Sequence, residues 1–320
     1  MKRTPVSTAL GISYPILQAG LPWVSNPELV AAVSTAGGLG ILHHTSGIEP
    51  GADPVANLHA VIRKVQRLTQ KPFGVAFYLP HPQIEQLIEA AAQEGVNIAI
   101  TYGGSPALYT GSLKEHGMTV IHQVSTVRHA RGAEAQGVDM VIAEGFEGGG
   151  LRGVDKVSTM VLVPQVVSSV AIPVIASGGI VDSRGYLAAM ALGAMGVQMG
   201  SRFAATKECI SHQNYKAAMV ASIDSGTVVV GGDKWPTRVL KQGTALQMRE
   251  SSMGAPEDDM TAWDQQLGID RTRAAFLDGD FDAGVAYMGA GAGLISEILT
   301  VPEVFKELID GRLSLARKLV

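Results

Sequence analysis

Short apolar runs that end in small or polar residues recur eight times along the chain: "YPILQAG", "GLGILHH", "FGVAFYL", "NIAITYG", "TVIHQV", "MVIAEG", "PVIASGG" and "GVQMGSR". Each is apolar on both faces instead of alternating, the pattern of a parallel strand covered by helices on both sides. The runs return at intervals of roughly 20–35 residues, as βα units do. Between them lies helix punctuation. Asn26 before Pro27 and Asp53 before Pro54 set an N-cap ahead of a first-turn proline, and Gly37 stands at a helix C-cap. Ser105-Pro106 opens a helix that Gly117 closes, Ser125 opens one that Gly137 closes, and Asp182 caps "SRGYLAAMALGA". Eight such units predict an α/β chain folded as a closed TIM (β/α)8 barrel. A doubly wound sheet is usually complete with about five or six strands.

After the eighth strand the rhythm stops. Residues 207–280, with "DKWPTRVLKQG" and "MGAPEDDMTAWDQQLG", are more polar and hold two of the three tryptophans. They predict a small helical insertion subdomain between the (β/α)8 barrel, residues 1–206, and a C-terminal return, residues 281–320. That return carries "AGVAYMGAGAGLISEIL" and the helical "VPEVFKELIDGRLSLARKLV", which close the barrel, and its glycines at 289, 291 and 293 suit a tight approach to backbone or ligand.

Composition narrows the partners. Hydrophobic residues are 46% and charged residues 17%, with the 38 glycines scattered, so the chain reads as globular and not disordered. A net charge of −4 without any Lys/Arg block leaves no footprint for a nucleic acid or an anionic membrane. The single cysteine, Cys209, allows no intrachain disulfide and reads as a buried thiol. No stretch reaches the roughly 18 apolar residues of a membrane span, and "MKRTPVSTALGISYP" lacks an apolar secretory core, so a cytoplasmic protein is expected. A barrel rim with a long insertion suits a homodimer, although no surface stripe marks an interface.

Candidate chemistry sits at strand ends, where barrel enzymes place their sites and where the seventh and eighth strands often hold a phosphate. The seventh ends in Ser177-Gly178-Gly179 and runs into a helix start; the eighth ends in Gly200-Ser201. Free N–H groups and the helix dipole there attract an anion. Gly20, with Leu21 and Pro22, adds an apolar rim, and Gly148 to Gly150 in "EGFEGGGLRG" follow the sixth strand. Backbone approaching from several sides suits a broad planar group, and FMN fits best. No Gly-x-Gly-x-x-Gly follows a first strand and no Gly-x-Ser-x-Gly occurs, which argues against a Rossmann site and a serine nucleophile. The pair His43-His44 should point to opposite faces of its strand, and no His-x-x-x-His or carboxylate cluster supports a metal.

"YPILQAGLPWVSNPELVAAVSTAGGLGIL", "EGFEGGGLRG", "TMVLVPQVVSSVAIPVIASGGI" and "LGAMGVQMGSRFAATKE" resemble the nitronate monooxygenase family, formerly 2-nitropropane dioxygenases, over essentially the whole chain. That family also contains flavin-dependent enoyl-[acyl-carrier-protein] reductases and NADH:quinone reductases. The resemblance implies FMN at the barrel mouth, with its phosphate on Gly178, Gly179, Gly200 and Ser201. The expected cofactor set adds Ala19, Gly20, Leu21, Gln123, Glu144, Gly149, Gly150, Ser177 and Met199, with NADH or NADPH as reductant for some members. The departures bear on the reaction. Leu151 stands where the family has its catalytic histidine, and it has no proton to give or take. Ala76, Gln123 and Ala290 replace a family asparagine, lysine and glutamine. Gln123 still hydrogen-bonds but offers no positive charge to a reduced ring.

These residues lead to an FMN-dependent oxidoreductase for a small apolar substrate, of nitronate monooxygenase type, since a nitronate is already deprotonated. An enoyl thioester or quinone reductase using NAD(P)H is the alternative, and an FMN-binding protein with a lost active site is another. The glycines are expected to make room for the flavin. Leu151, Trp23 and Ala290 are the substrate-facing candidates, Trp23 being exposed and either stacking on substrate or packing on the insertion. His43, and behind it His122, are the candidates for proton transfer.

Overall fold

The computed structural model describes residues 3–48, 51–251, 265 and 267–319. Eight parallel strands form one sheet: β1 (Ile16–Gln18), β2 (Gly40–His43), β3 (Phe73–Tyr78), β4 (Ile98–Tyr102), β5 (Thr119–Val124), β6 (Met140–Glu144), β8 (Val174–Ser177) and β9 (Gly196–Met199). A two-residue strand, β7 (Gly150–Leu151), lies outside it. The sheet runs β1-β9-β8-β6-β5-β4-β3-β2. Its ends meet where Leu17 bridges Leu39 and the Gln18 amide donates to the Leu39 carbonyl at 3.0 Å. The fold is therefore a TIM barrel, and each of the eight apolar runs forms one of its strands.

Two apolar layers explain why those runs do not alternate. Inside the barrel, Leu17, Ile41, Ala76, Ile100, Ile121, Ile142 and Ile175 form a closed cluster. Val6, on a short helix, Pro5–Ala9, whose Thr4 and Ser7 form a capping box, joins Leu10 and Ile12 just beyond that helix in the same cluster. The opposite strand faces bury against the helices in a second, larger cluster.

The punctuation holds in most places. Asp53 accepts from the Val55 and Ala56 amides, and Asp182 from those of Arg184 and Gly185. Asn26 occupies its cap position without a capping side-chain bond and donates instead to Glu28 and the Glu208 carbonyl. Two helices differ from expectation. The one expected from Ser105 breaks into a 3-10 turn, Pro106–Leu108, and a helix, Thr110–Glu115. The next is capped by Thr126, not Ser125, because the Thr126 hydroxyl reaches the His129 amide at N3.

The segment after β9 is not purely helical. Besides helices Gln213–Val220, Thr244–Ser251 and Ile269–Arg273, it carries an antiparallel hairpin, β10 (Thr227–Val230) and β11 (Thr237–Leu240). The alternation of Val228 and Val230, buried, with Thr227 and Val229, half-buried, is the period-2 pattern of a strand with one covered face. β11 then pairs with β7, Thr237 opposite Leu151, so the hairpin is stitched to the glycine loop after β6. Most of "MGAPEDDMTAWDQQLG", including Trp263, lies outside the described residues. Helix Val301–Leu319 packs on Ser183–Ala191 and Pro27–Thr35, completing the outer ring. Cys209 is buried, and burial raises its thiol above the usual range. No helix among the described residues is long and apolar enough to cross a membrane.

Candidate functional site

A cavity opens at the carboxyl ends of the strands, where a barrel fold leaves its loops free to vary. Ala19, Gly20 and Leu21 line it beyond β1, Gln123 and Glu144 at β5 and β6, and Gly149, Gly150 and Leu151 along β7. Ser177, Gly178 and Gly179 after β8 and Gly200 and Ser201 after β9 form the opposite wall. Thus most of the sequence-derived set converges on one space.

The wall at β8 and β9 presents free backbone donors. Among the described residues, no intramolecular hydrogen bond engages the amides of Gly178, Gly179 or Gly200. Gly178 has φ +98°, and a Cβ there would meet the Gly145 carbonyl oxygen and Thr159 Oγ1, each at 2.9 Å. Only glycine suits that position. The Ser201 hydroxyl accepts from the Gly289 amide at 3.1 Å, leaving its own proton to donate. Gln198 Oε1, also at this cavity, is buried without a partner among the described residues. Unpaired donors converging on a helix start suit a phosphate. The loop from β6 is fixed beside this wall by Glu147, whose carboxylate accepts from the Thr159 amide and hydroxyl, each at 2.9 Å.

The three consecutive glycines answer to protein, not to a ligand alone. A side chain at Gly148 would strike Arg152 and Glu144, one at Gly149 the Met288–Gly289 backbone at 2.9 Å, and one at Gly150 the Tyr287 ring at 3.2 Å. The glycines thus serve protein packing as well as the open space beside them. Their smallness lets the β6 loop pass under the C-terminal return, and all three still line the cavity.

What Gly148 makes room for is an ion pair. Arg152 Nη1 lies 2.5 Å from Glu144 Oε1, and the side chains are only 7% and 12% exposed. The other Glu144 oxygen accepts from Gln123 Nε2. A guanidinium therefore lines the cavity although the lysine of some relatives is absent. Leu151 lies beside it, packed against the hairpin cluster of Val228, Val230 and Val239 and facing the cavity.

Five predicted residues do not reach this space as expected. Met199 is buried behind the wall, where its carbonyl accepts from the Ala19 amide at 3.0 Å. Ala290 is turned away, its amide donating to the Glu147 carbonyl at 2.8 Å, while Gly289 and Gly291 line the cavity in its place. Trp23 is buried, not exposed. Its indole N–H lies 2.8 Å from the Ile269 carbonyl and 3.0 Å from Thr272 Oγ1, so it packs on the insertion. His43 is fully buried outside the cavity. Its Nδ1 is 2.7 Å from Thr45 Oγ1 and its Nε2 2.7 Å from the Tyr102 hydroxyl. Burial, then His44 and His81, hold it well below the usual histidine value. The expectation that His43 and His44 point apart fails as well. Their rings lie 4.2 Å apart because His44 falls beyond the end of β2, where strand alternation lapses.

His122 lines a second cavity that adjoins the first across Tyr102, Gln123, Glu144, Leu151 and Arg152. Its Nδ1 is 2.8 Å from Thr101 Oγ1, and burial, helped by His129, lowers it to about 4. Arg128, His129 and Ser125 form the outer part of that space.

Sequence reasoning missed Tyr78, Tyr102, Tyr287 and Arg152, all of which line the main cavity. Tyr102 was within reach, because it ends the fourth apolar run and strand ends are where barrel sites lie. Arg152 carried no signal beyond standing next to Leu151.

A model of the nitronate monooxygenase family matches residues 3–311. The chain is 39% identical to FabK from Thermotoga maritima, covering 100% of this chain and 99% of that one with a TM-score of 0.90. It is 32% identical to the (3aS,4S,5R,7aS)-5-hydroxy-7a-methyl-1-oxo-octahydro-1H-indene-4-carboxyl-CoA dehydrogenase of Mycobacterium tuberculosis, over 96% of this chain and 95% of the relative. A probable nitronate monooxygenase of Staphylococcus saprophyticus is 34% identical over 71% of this chain and 75% of its own length.

Proposed function

Because the chain belongs to the nitronate monooxygenase family, we propose that it is an FMN-dependent oxidoreductase that oxidises a nitronate, or a similar small apolar substrate, with oxygen. Support for the cofactor is the donor set at Gly178, Gly179, Gly200 and Ser201, which fits the phosphate, beside a cavity broad enough to be walled by six barrel strands. FMN bound there would supply the electron transfer.

The observation that carries the reaction is the state of the bases around Leu151. Both Glu144 oxygens are engaged by Arg152 and Gln123, His43 is enclosed with both ring nitrogens bonded, and His122 opens on the adjoining cavity, not on the main one. A general base must reach the proton it removes. A substrate that arrives deprotonated needs none, and Leu21, Ala76, Ile100 and Leu151 give it an apolar, water-poor wall.

A second reading, reduction of an enoyl thioester or a quinone with NADH or NADPH, is favoured by the adjoining cavity. That space lengthens the site toward Arg128 and His129 and would take a longer or anionic acyl carrier. A relative named for a CoA thioester points the same way.

The test is to record the visible spectrum, add NADH or NADPH without oxygen, and in parallel add propane 2-nitronate with oxygen. Oxygen uptake with nitronate and no bleaching by nicotinamide is the expected result. Bleaching by nicotinamide would select the reductase. A flavin that stays oxidised under both treatments would leave a flavin-binding protein without turnover, and a colourless protein that takes up no FMN would overturn the cofactor.

A further inference from the structure

The surrounding hydrogen bonds settle the orientation of the Tyr102 hydroxyl, which lines the cavity. The Thr45 amide donates to His43 Nδ1 at 3.2 Å, so Nδ1 carries a lone pair and no proton. The Trp23 amide donates to Thr45 Oγ1 at 2.9 Å, and that hydroxyl, 2.7 Å from Nδ1, donates onward to it. Neutral His43 therefore has its proton on Nε2, and it donates to the Tyr102 oxygen at 2.7 Å. The tyrosine oxygen is used as an acceptor, and no acceptor among the described residues takes its proton. That proton is left for the cavity that Tyr102 lines.

Strand register brings His43 and Tyr102 together. β2 pairs with β3 at His43 opposite Ala76, and β3 with β4 at Tyr78 opposite Tyr102. The line from His43 to Tyr102 thus crosses β3 near Ala76, whose methyl group leaves the path open and packs in the cluster on which the Tyr102 ring rests. Burial, with Tyr78 and Tyr287 nearby, holds the phenol well above its usual range, so it remains a donor.

We infer that Tyr102 is a substrate-binding residue that donates a fixed hydrogen bond to a negatively charged or carbonyl oxygen of the substrate, with His43 and Thr45 as its positioning residues. This deepens the reading of the cavity as a site for a small anionic substrate and rests on it. A nitronate has two oxygens sharing one negative charge, and an oriented neutral donor in an apolar wall is what such a group lacks once it leaves water.

Isobutyrate is the probe, since it has the carbon skeleton and planar paired oxygens of propane 2-nitronate but nothing to oxidise. Its dissociation constant, measured by calorimetry on the purified flavoprotein, should rise about 10- to 100-fold in Tyr102→Phe, the loss of a hydrogen bond to a charged group. His43→Leu should move toward Tyr102→Phe. His43→Gln, whose side-chain N–H can stand in for Nε2–H, should stay close to the native value, a rescue that a merely structural histidine would not show. Native binding that Tyr102→Phe leaves unchanged overturns the inference, and so does failure of the native protein to bind isobutyrate. Because the probe is inert, native protein that binds it through Tyr102 yet consumes no oxygen with nitronate would sink the proposed reaction and leave the donor standing.

Discussion

Glu144 at the end of β6 and Arg152 just beyond β7 form a 2.5 Å ion pair across the mouth of the barrel, in a space that exists because residue 148 has no side chain. Two charged groups so little exposed hold each other, and the pair fixes the loop that carries Leu151 into the wall.

Glu144→Ala should therefore be severe. Removing one partner of a buried pair strands the other charge, at a cost of about 3–5 kcal/mol. Denaturant unfolding should show that loss, a smaller one for Glu144→Gln, and destabilisation in the same direction for Gly148→Ala. Native stability in Glu144→Ala would mean that Arg152 finds water.

Gly178→Ala tests the proposed phosphate site. A residue with a Cβ at φ +98° carries about 1–2 kcal/mol of strain, and relief of that strain turns the free amides away. FMN affinity, followed by quenching of flavin fluorescence, should fall by tenfold or more, while Ser201→Ala should have a smaller effect. Unchanged affinity in Gly178→Ala would place the phosphate elsewhere.

Leu151→His restores a titratable group at the wall. The native protein should act on propane 2-nitronate and scarcely on neutral 2-nitropropane, whereas the variant should raise the ratio of neutral to anionic kcat/KM by about 100-fold, the usual range for a positioned base. Oxygen uptake with each form measures it. An unchanged ratio would show that residue 151 only packs.

Acid should destabilise the protein through its buried histidines. Burial lowers His44 to about 3 and His122 to about 4, so between those values and the ordinary 6.5 the unfolded chain binds more protons than the folded one. Stability is then flat above about pH 6.5 and falls as pH drops, by about 1.4 kcal/mol per pH unit for each group. His122→Asn should make the decline shallower in urea midpoints taken from neutral to acid pH. A parallel curve would mean that His122 is not buried in solution.

Trp23→Phe should cost about 1–2 kcal/mol through the lost bonds to Ile269 and Thr272. FMN binding should not change, because the indole does not line the cavity. A change in FMN affinity would show that the insertion shapes the site.

The barrel was legible because it rests on local and periodic features. Each strand is apolar on both faces, and caps such as Asp53 and Asp182 act over two or three residues, so the pattern is written in adjacent positions. Ser125 shows the limit. Two neighbouring hydroxyls could each cap, and only the backbone path selected Thr126. The hairpin was missed because its strands are four residues long and the segment reads as polar overall.

The site divides in the same way. The cluster of Gly178, Gly179, Gly200 and Ser201 follows from strand order alone, since glycines at two adjacent strand ends must meet in a closed barrel. Which neighbours those strand ends face is a matter of contacts far apart in the chain. The burial of Trp23 against residues near 270 and the hydrogen bond from His43 to Tyr102 arise between segments that no periodicity connects. By itself the sequence determined the barrel, the meeting of its glycine-rich strand ends and the apolar, non-ionisable side chain of Leu151, because these depend on residue type and strand order. Only the tertiary structure decided that Arg152 and Tyr102 face the cavity while His43 stands behind it, because side-chain direction at a strand end is set by what packs around it.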